Sequence, residues 1–476
     1  MTQAAPEVSR FVESAVARVL AEPQLDKAIH LARFLGELLW KNSTGCYQLA
    51  EMERVLLERL NPLVSLSASP RIARYGHVLT KAYDVGGHTR VVERLCASVV
   101  LQDSAVLVLE SAQDLAWQRL CSTAHGCIPL FSASRGCERV ALLAEQFARF
   151  EVLILYIHPH DIEAVLAAGI AQRQAGARVM LFNHADHVFT YGLGVAERVL
   201  EISHFGWALR EARESLDRSV FVGIPLDLPA RRPAAADSSG AIVSAGTSYK
   251  FRPAQGWSFP NFVRVLSQRS SSRVEIIGPR CWLDWWWWSV KCRIGKRLIL
   301  HRRLGHDEYL SFIARAAAYV DSFPFVGGTA FAEVMGRGVP CFGVLTGSHG
   351  YTPADLLKSM SEAELVEELV KFTKLGERSA QDEKQVYEAM LATHDVECVA
   401  RRVADALTDE APGHAPPWPC KKEIDTGLFR RIWLKRTLPV FPVHVWPLPG
   451  MMLWFLLFFS LEKVSSCDEP STVKKN

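Results

Sequence analysis

The sequence predicts an α/β protein of two parallel-sheet lobes. Three observations carry that expectation. From about residue 71 onward, short and continuously apolar runs alternate with helical stretches. Such runs mark strands of a parallel sheet that helices cover on both faces. The alternation is interrupted at residues 229–240, "PARRPAAADSSG", whose Pro, Ala and Ser content is that of a linker. At 476 residues the chain also exceeds one ordinary core, so two domains with additions are expected.

The elements follow in order. Residues 1–70 read as a helical section. "VESAVARVLAE", "LDKAIHLARFLGELLW" and "LAEMERVLLERL" place apolar residues at i, i+3 and i+4. Residues 71–228 form the first lobe, with strands in "HVLT", "SAVLVLE", "EVLILYIHP", "ARVMLFNHA" and "RVLEIS". Residues 241–410 form the second, with strands in "AIVSAG", "SRVEIIGP", "AYVDSF" and "PCFGVLTG". Residues 411–476 are a tail, first basic and then strongly apolar. A cleft between the lobes, at the carboxyl ends of their strands, is the expected ligand site.

Composition narrows the function classes. Hydrophobic residues make up 49% and charged residues 22%, as in a globular protein. A net charge of +3 argues against a dedicated nucleic-acid binder. Eleven scattered cysteines include no CxxC pair, so neither a zinc ribbon nor a disulfide framework is expected. The N-terminus carries Glu7 and Glu13 and lacks a long apolar core, unlike a signal peptide. A reducing, cytoplasmic compartment is expected.

Two glycine loops carry the chemistry. In "DSFPFVGGTAFAEVMGRGVP", Asp321 to Pro340, a strand meets a helix through Gly327 and Gly328. Glycines there let backbone N–H groups approach an anion, and the helix N-terminus adds partial positive charge. Glu333, one turn on, is placed to accept hydrogen bonds from the two hydroxyls of a ribose. The pattern thus fits a nucleotide-diphosphate site, and equally a glycine turn followed by a solvated glutamate. In "LTKAYDVGGHTRVVERL", Gly86 and Gly87 open a helix of the first lobe, with His88 at its start. An imidazole there is suited to act as a general base or to cap the helix.

Further histidines follow two first-lobe strands: His158 and His160 with Asp161, then His184 and His187 with Asp186. Clustered this way they offer a metal-activated water, hence a metal-dependent hydrolase as an alternative. They also suit the acceptor side of a transferase cleft.

Two stretches point to a surface. "CWLDWWWWSVKCRIGKRL" sets Trp282 and Trp285 to Trp288 before Lys291, Arg293, Lys296 and Arg297. Tryptophan favours boundaries that are apolar on one side and wet on the other, so a sugar acceptor, a membrane or an ordinary loop are all open. "MMLWFLLFFSL", residues 451–461, is too short to span a bilayer. It follows basic residues and either lies on an anionic membrane or packs back on the protein.

The run "VDSFPFVGGTAFAEVMGRGVPCFG" resembles the nucleotide-sugar motif of GT-B glycosyltransferases. Its "FPFxGGT…E…GxP" form is similar to the branch containing O-GlcNAc transferase and bacterial cytoplasmic protein glycosyltransferases. "GGHTRV" resembles the first-lobe loop of polysaccharide-type enzymes, and "NHADHVF" resembles bacterial glycosyltransferases. The likeness spans roughly residues 71–410. It implies two Rossmann-like lobes, the second holding a nucleotide-diphosphate sugar. By position, Gly327, Gly328 and Thr329 would meet the diphosphate, Glu333 the ribose, and Lys250 of "SAGTSYKF" the phosphate charge. His88 would be the base, with Asp186 or His187 behind it.

Retaining enzymes of this fold often carry two glutamates eight positions apart. Phe325 stands eight before Glu333, which leans toward inversion. No D-x-D triplet occurs, so neither metal nor cofactor is expected beyond the nucleotide-sugar substrate. The acceptor would be a hydroxyl of a glycan, a lipid-linked sugar or a protein, with peripheral contact at the inner face of a membrane. A non-catalytic nucleotide-sugar binder is a third expectation.

Overall fold

The computed structural model describes residues 6–230, 233, 240–376, 380–408 and 414–434. The first lobe is built on a seven-stranded sheet. Its strands are β1 (Ala73–Ala82), β2 (Ser104–Ala112), β3 (Gly126–Pro129), β4 (Phe150–Tyr156), β5 (Arg178–Phe182), β6 (Arg198–Glu201) and β7 (Ser219–Phe221). They run in the order β3-β2-β1-β4-β5-β6-β7, and every pairing is parallel. The second lobe has β8 (Ile242–Ala245), β9 (Val274–Ile277), β10 (Leu298–His301), β11 (Ala318–Val320) and β12 (Cys341–Phe342). Their order is β10-β9-β8-β11-β12, again all parallel.

The apolar runs behave as expected for such sheets. Ser104–Leu109 of β2 is buried at every residue, because helices cover both faces. On one face the N-terminal helices Leu25–Asn42 and Ala50–Leu60 pack over helices Gly136–Phe147 and Ile162–Ala175. Helix Ile162–Ala175 is buried from Ile162 to Ala171 and is apolar there except for Glu163, which pairs with Arg33 and Arg139, as suits a helix in a middle layer.

The opposite face of the first sheet shares one continuous core with the second lobe. Helices Ala380–His394 and Val396–Asp405 follow the second lobe in sequence but reach back to the first. Arg402 Nη2 donates to the Val222 carbonyl at 2.8 Å, and Ser98 Oγ donates to Glu397 at 2.8 Å. Residues 414–434 then return to the cleft. His204 Nε2 donates to the Trp418 carbonyl at 2.8 Å and Lys422 Nζ to the Leu345 carbonyl at 2.8 Å. Most of the expected linker 229–240, and the apolar run 451–461, lie outside the described residues. Among the described residues no helix is long and apolar enough to cross a membrane.

Each sheet reverses its strand order beside its first strand, at β1/β4 and at β8/β11. The loops that leave the carboxyl ends of those four strands therefore flank two crevices where ligands of α/β proteins bind.

Candidate functional site

The loop after β11 forms the centre of the site. It runs through Asp321 to Gly328 into helix Thr329–Gly336. Gly328 has φ +35°, in the region that a side chain resists. A Cβ on Gly327 would sit 2.5 Å from Asp321 Oδ1, so that position too must be glycine. Asp321 Oδ1 accepts the Gly327 N–H at 2.7 Å. The Ala330 N–H of the first turn of Thr329–Gly336 is donated to the Gly327 carbonyl at 2.8 Å, and the macrodipole makes that helix end attractive to phosphate.

A buried cation holds this loop in place. Lys358 Nζ lies 2.6 Å from Asp321 Oδ2 and 2.5 Å from Asp355 Oδ1. Asp355 Oδ2 in turn accepts the N–H groups of Gly350 and Tyr351, at 2.8 and 3.0 Å. Burial alone would lower the Lys358 pKa, but its two carboxylates outweigh burial and raise it, so it remains charged. Burial likewise pushes Asp355 up, and Lys358 overrides it and holds the carboxyl below its usual range. One lysine thus fixes both the glycine loop and the loop 346–352.

Lys250 follows β8, across the crevice, and its Nζ donates to the Val326 carbonyl at 2.9 Å. It stands on the glycine loop. Glu333 is held by the other lobe. Its Oε1 accepts from Arg94 Nη2 at 2.5 Å, and Arg94 Nη1 also donates to the Pro225 carbonyl at 2.9 Å. The expected ribose carboxylate is therefore engaged in an inter-lobe ion pair.

In the first lobe, Gly86 and Gly87 lead from β1 into helix Gly87–Ala97. Gly86 is extended at φ 170°, and Gly87 has open space around it, so neither needs to be glycine for conformational reasons. His88 Nε2 lies 3.1 Å from the Lys81 carbonyl. A carbonyl only accepts, so Nε2 carries the proton and Nδ1 keeps its lone pair. The ring stacks on His184 at 5.3 Å and meets the edges of Tyr83 and His158. His160 stacks on Trp40 at 5.1 Å.

Burial lowers the pKa of each of these histidines, to about 4 for His158 and about 3 for His184. The cluster is neutral at pH 7. Within it His88 and His184 stack, while His88 meets His158 edge-on. Among the described residues no three His, Cys, Asp or Glu side chains are placed to hold a metal ion, which leaves the hydrolase alternative without a ligand set there. Asp161 caps helix Ile162–Ala175, accepting the Ala164 N–H at 3.2 Å and the Thr80 hydroxyl at 2.6 Å.

Asp186 and His187 lie at the lobe boundary. Buried Asp186 accepts from Ser203 Oγ, and from the Tyr351 hydroxyl of the second lobe at 3.3 Å. The Tyr351 ring packs on Gly328, its Cγ 3.4 Å from where a Cβ would be. Asp186 is thus one tyrosine removed from the glycine loop. His187 Nδ1 lies 3.3 Å from Asp186 Oδ1. Its ring stacks on Phe429 at 4.3 Å, and Phe429 stacks on Phe325 at 4.7 Å. That column joins the first lobe, residues 414–434 and the glycine loop.

The structure therefore groups Lys250, Gly327, Gly328, Thr329 and Glu333 around one helix N-terminus. Asp186 and His187 join that group through Tyr351 and Phe429. His88 sits with His184, on the loop that also carries Asp186. Arg94, Tyr351, Asp355 and Lys358 were not singled out by sequence. Asp321 stood in the quoted motif, and a carboxylate at a strand's carboxyl end was a signal that went unused.

No protein-family model and no curated protein matches the chain. Solved structures do match in fold. A mutant O-GlcNAc transferase of Thermobaculum terrenum superposes with a TM-score of 0.52 at 15% identity, over 84% of this chain and 80% of that one. HepE of Anabaena, solved in complex with UDP and glucose, gives 0.53 at 12% identity, over 70% of this chain and 99% of that one. The chain has the GT-B fold: two Rossmann-like lobes facing each other across the cleft that these residues line.

Proposed function

We propose that the protein transfers a sugar from a nucleotide-diphosphate sugar to a hydroxyl acceptor. The observation that carries this is the glycine loop at the start of helix Thr329–Gly336, with Lys250 lying on it. Thr329 and the Gly328 N–H take the diphosphate oxygens, with the Gly327 N–H kept by Asp321, and Lys250 supplies the cation. Glu333 takes the ribose hydroxyls, exchanging its Arg94 partner for them. Closure of the lobes excludes water that would otherwise hydrolyse the donor. The HepE neighbour was solved with UDP, which makes a uridine nucleotide the first donor to try.

His88 is the first choice of base. Its free Nδ1 lone pair and its neutrality at pH 7 are what deprotonation of an acceptor hydroxyl requires. Asp186 is the weaker choice, since Ser203 and Tyr351 already occupy its carboxylate. His187 shares that carboxylate. Inversion, independence from metal, a hexose as the group moved, and kinship with the branch containing O-GlcNAc transferase belong to this proposal. The acceptor class is a glycan, lipid-linked sugar or protein.

The test is turnover. Purified protein is given UDP-sugars and acceptor extracts in EDTA, and released UDP is followed. Acceptor-dependent release that is lost in His88→Asn supports the reading. Donor binding without release, under every acceptor, would favour a non-catalytic binder.

A further inference from the structure

The loop after β9 leads through Trp285–Trp287 into helix Trp288–Ile294, and it divides its tryptophans sharply. Trp287 is fully buried against Phe251 and Phe259, and Val290 is buried beside it. Asp284, also fully buried, accepts from Ser248 Oγ and from the Arg280 N–H at 2.7 Å. The segment is thus anchored inward. Outward, Trp282 is 89% exposed, Leu283 64%, Trp285 62% and Trp288 51%. The Trp288 indole N–H is already used, donating to the Cys281 carbonyl at 3.0 Å. What it presents to solvent is therefore its apolar ring.

Along the sequence, the charge of this segment is almost all of one sign. Between Glu275 and Asp307 the sequence has seven Lys and Arg residues and one acid, Asp284, which is buried. That local excess is larger than the +3 of the whole chain. Arg293 and Lys296 are exposed on helix Trp288–Ile294 and just beyond it. Lys291 and Arg297 instead turn back to backbone carbonyls.

We propose that this surface docks the protein on an anionic lipid bilayer. Indole rings sit at the depth of lipid headgroups, and exposed cations beside them match the negative charge there. A sugar-stacking platform would need a facing wall, and Trp282 at 89% exposure has none. The surface stands independently of the transfer reading. It also has an orientation. The loop leaves the carboxyl end of β9, the end from which the glycine loop and Lys250 also leave, and Asp284 ties it to Ser248, two residues from Lys250. Docking would bring that end of the second lobe to the bilayer, where an acceptor carried on lipid would be.

The test uses the full chain and flotation with vesicles of phosphatidylcholine alone or mixed equally with phosphatidylglycerol. The expected result is binding to the mixed vesicles only, weakened by high salt. Trp282→Ser, a change at the most exposed ring, should weaken partition several-fold without altering the melting temperature. The triple change Trp282→Ser, Trp285→Ser and Trp288→Ser should lower it roughly tenfold or more, since binding scales with the apolar area buried. Arg293→Gln with Lys296→Gln should remove the preference for phosphatidylglycerol. Failure of the wild type to float would overturn the proposal. So would full binding by Trp282→Ser and the triple variant, which would place the contact elsewhere. So would self-association that Trp282→Ser abolishes while vesicles are ignored.

Discussion

The glycine loop and the histidine cluster, one in each lobe, are built by opposite means. On the second-lobe side, full charges are buried and paired: Lys358 between Asp321 and Asp355, holding a loop of backbone N–H groups. On the first-lobe side, histidines are stacked and burial keeps them neutral. Under the proposed function, each is matched to a different partner. A diphosphate carries fixed negative charge and would be met by the helix N-terminus and Lys250, while the buried Lys358 triad, net −1, only holds that loop rigid. A hydroxyl that loses a proton needs a lone pair, and a buried neutral imidazole keeps one.

The largest expected effect comes from breaking the charged side. Lys358→Met leaves two buried carboxylates without their cation, and should cost about 3–5 kcal/mol of stability. Chemical denaturation would measure it. Adding Asp321→Asn and Asp355→Asn should restore much of the loss, because the unpaired charges disappear with the lysine. The pH sign follows from the directions of shift. The Asp355 folded pKa lies below its unfolded value, so its contribution is present above about 4 and is lost as pH falls through the folded value.

Next is the neutral side. His88→Asn should lower turnover by roughly 10²–10⁴ while UDP affinity stays unchanged. Because burial lowers the His88 pKa, the wild-type kcat/KM should hold below pH 6.5, where an ordinary histidine would already be losing its lone pair. A pH–rate profile checks both. Stability should move as well. The folded pKa values of His158 and His184, about 4 and about 3, lie below the unfolded value. Their contribution is therefore full above about 6.5 and declines as pH falls toward 4, by up to about 1.4 kcal/mol per unit for each ring. Melting temperatures across that range would show it.

The smallest effect is the sharpest, since the two partners of one ion pair should act in opposite directions. Glu333→Gln replaces a charged acceptor of two oxygens with a neutral one of a single oxygen and should weaken UDP about tenfold, near 1.4 kcal/mol. Arg94→Gln removes the competitor and should tighten UDP. Neither should change stability by more than about 1 kcal/mol, as the pair is only partly buried. Weakening by both changes would mean that Arg94 supports the donor directly.

Legibility in the sequence followed the range of the contacts. "SAVLVLE" and "EVLILYIHP" were readable as strands because a strand covered on both faces is apolar throughout. β3, β7 and β10 were not, since "GCIP" and "SVF" are too short to show a pattern and "LILH" is attached to a basic run. The glycine loop could be read because its strand, turn and helix are consecutive. Arg94 meets Glu333 across 239 positions and Tyr351 meets Asp186 across 165, and no local pattern announces such pairs. Nothing local in "DLLKSM" marks Lys358, which the fold buries between two carboxylates.

The central claim is that the loop at Gly327 holds a nucleotide diphosphate. Calorimetric titration of UDP in EDTA, on the wild type, Lys250→Met and Glu333→Gln, tests it most directly. The account predicts saturable one-site binding that EDTA does not affect and that both substitutions weaken. Absence of binding by UDP, GDP and dTDP alike, or binding that both substitutions leave intact, would contradict it.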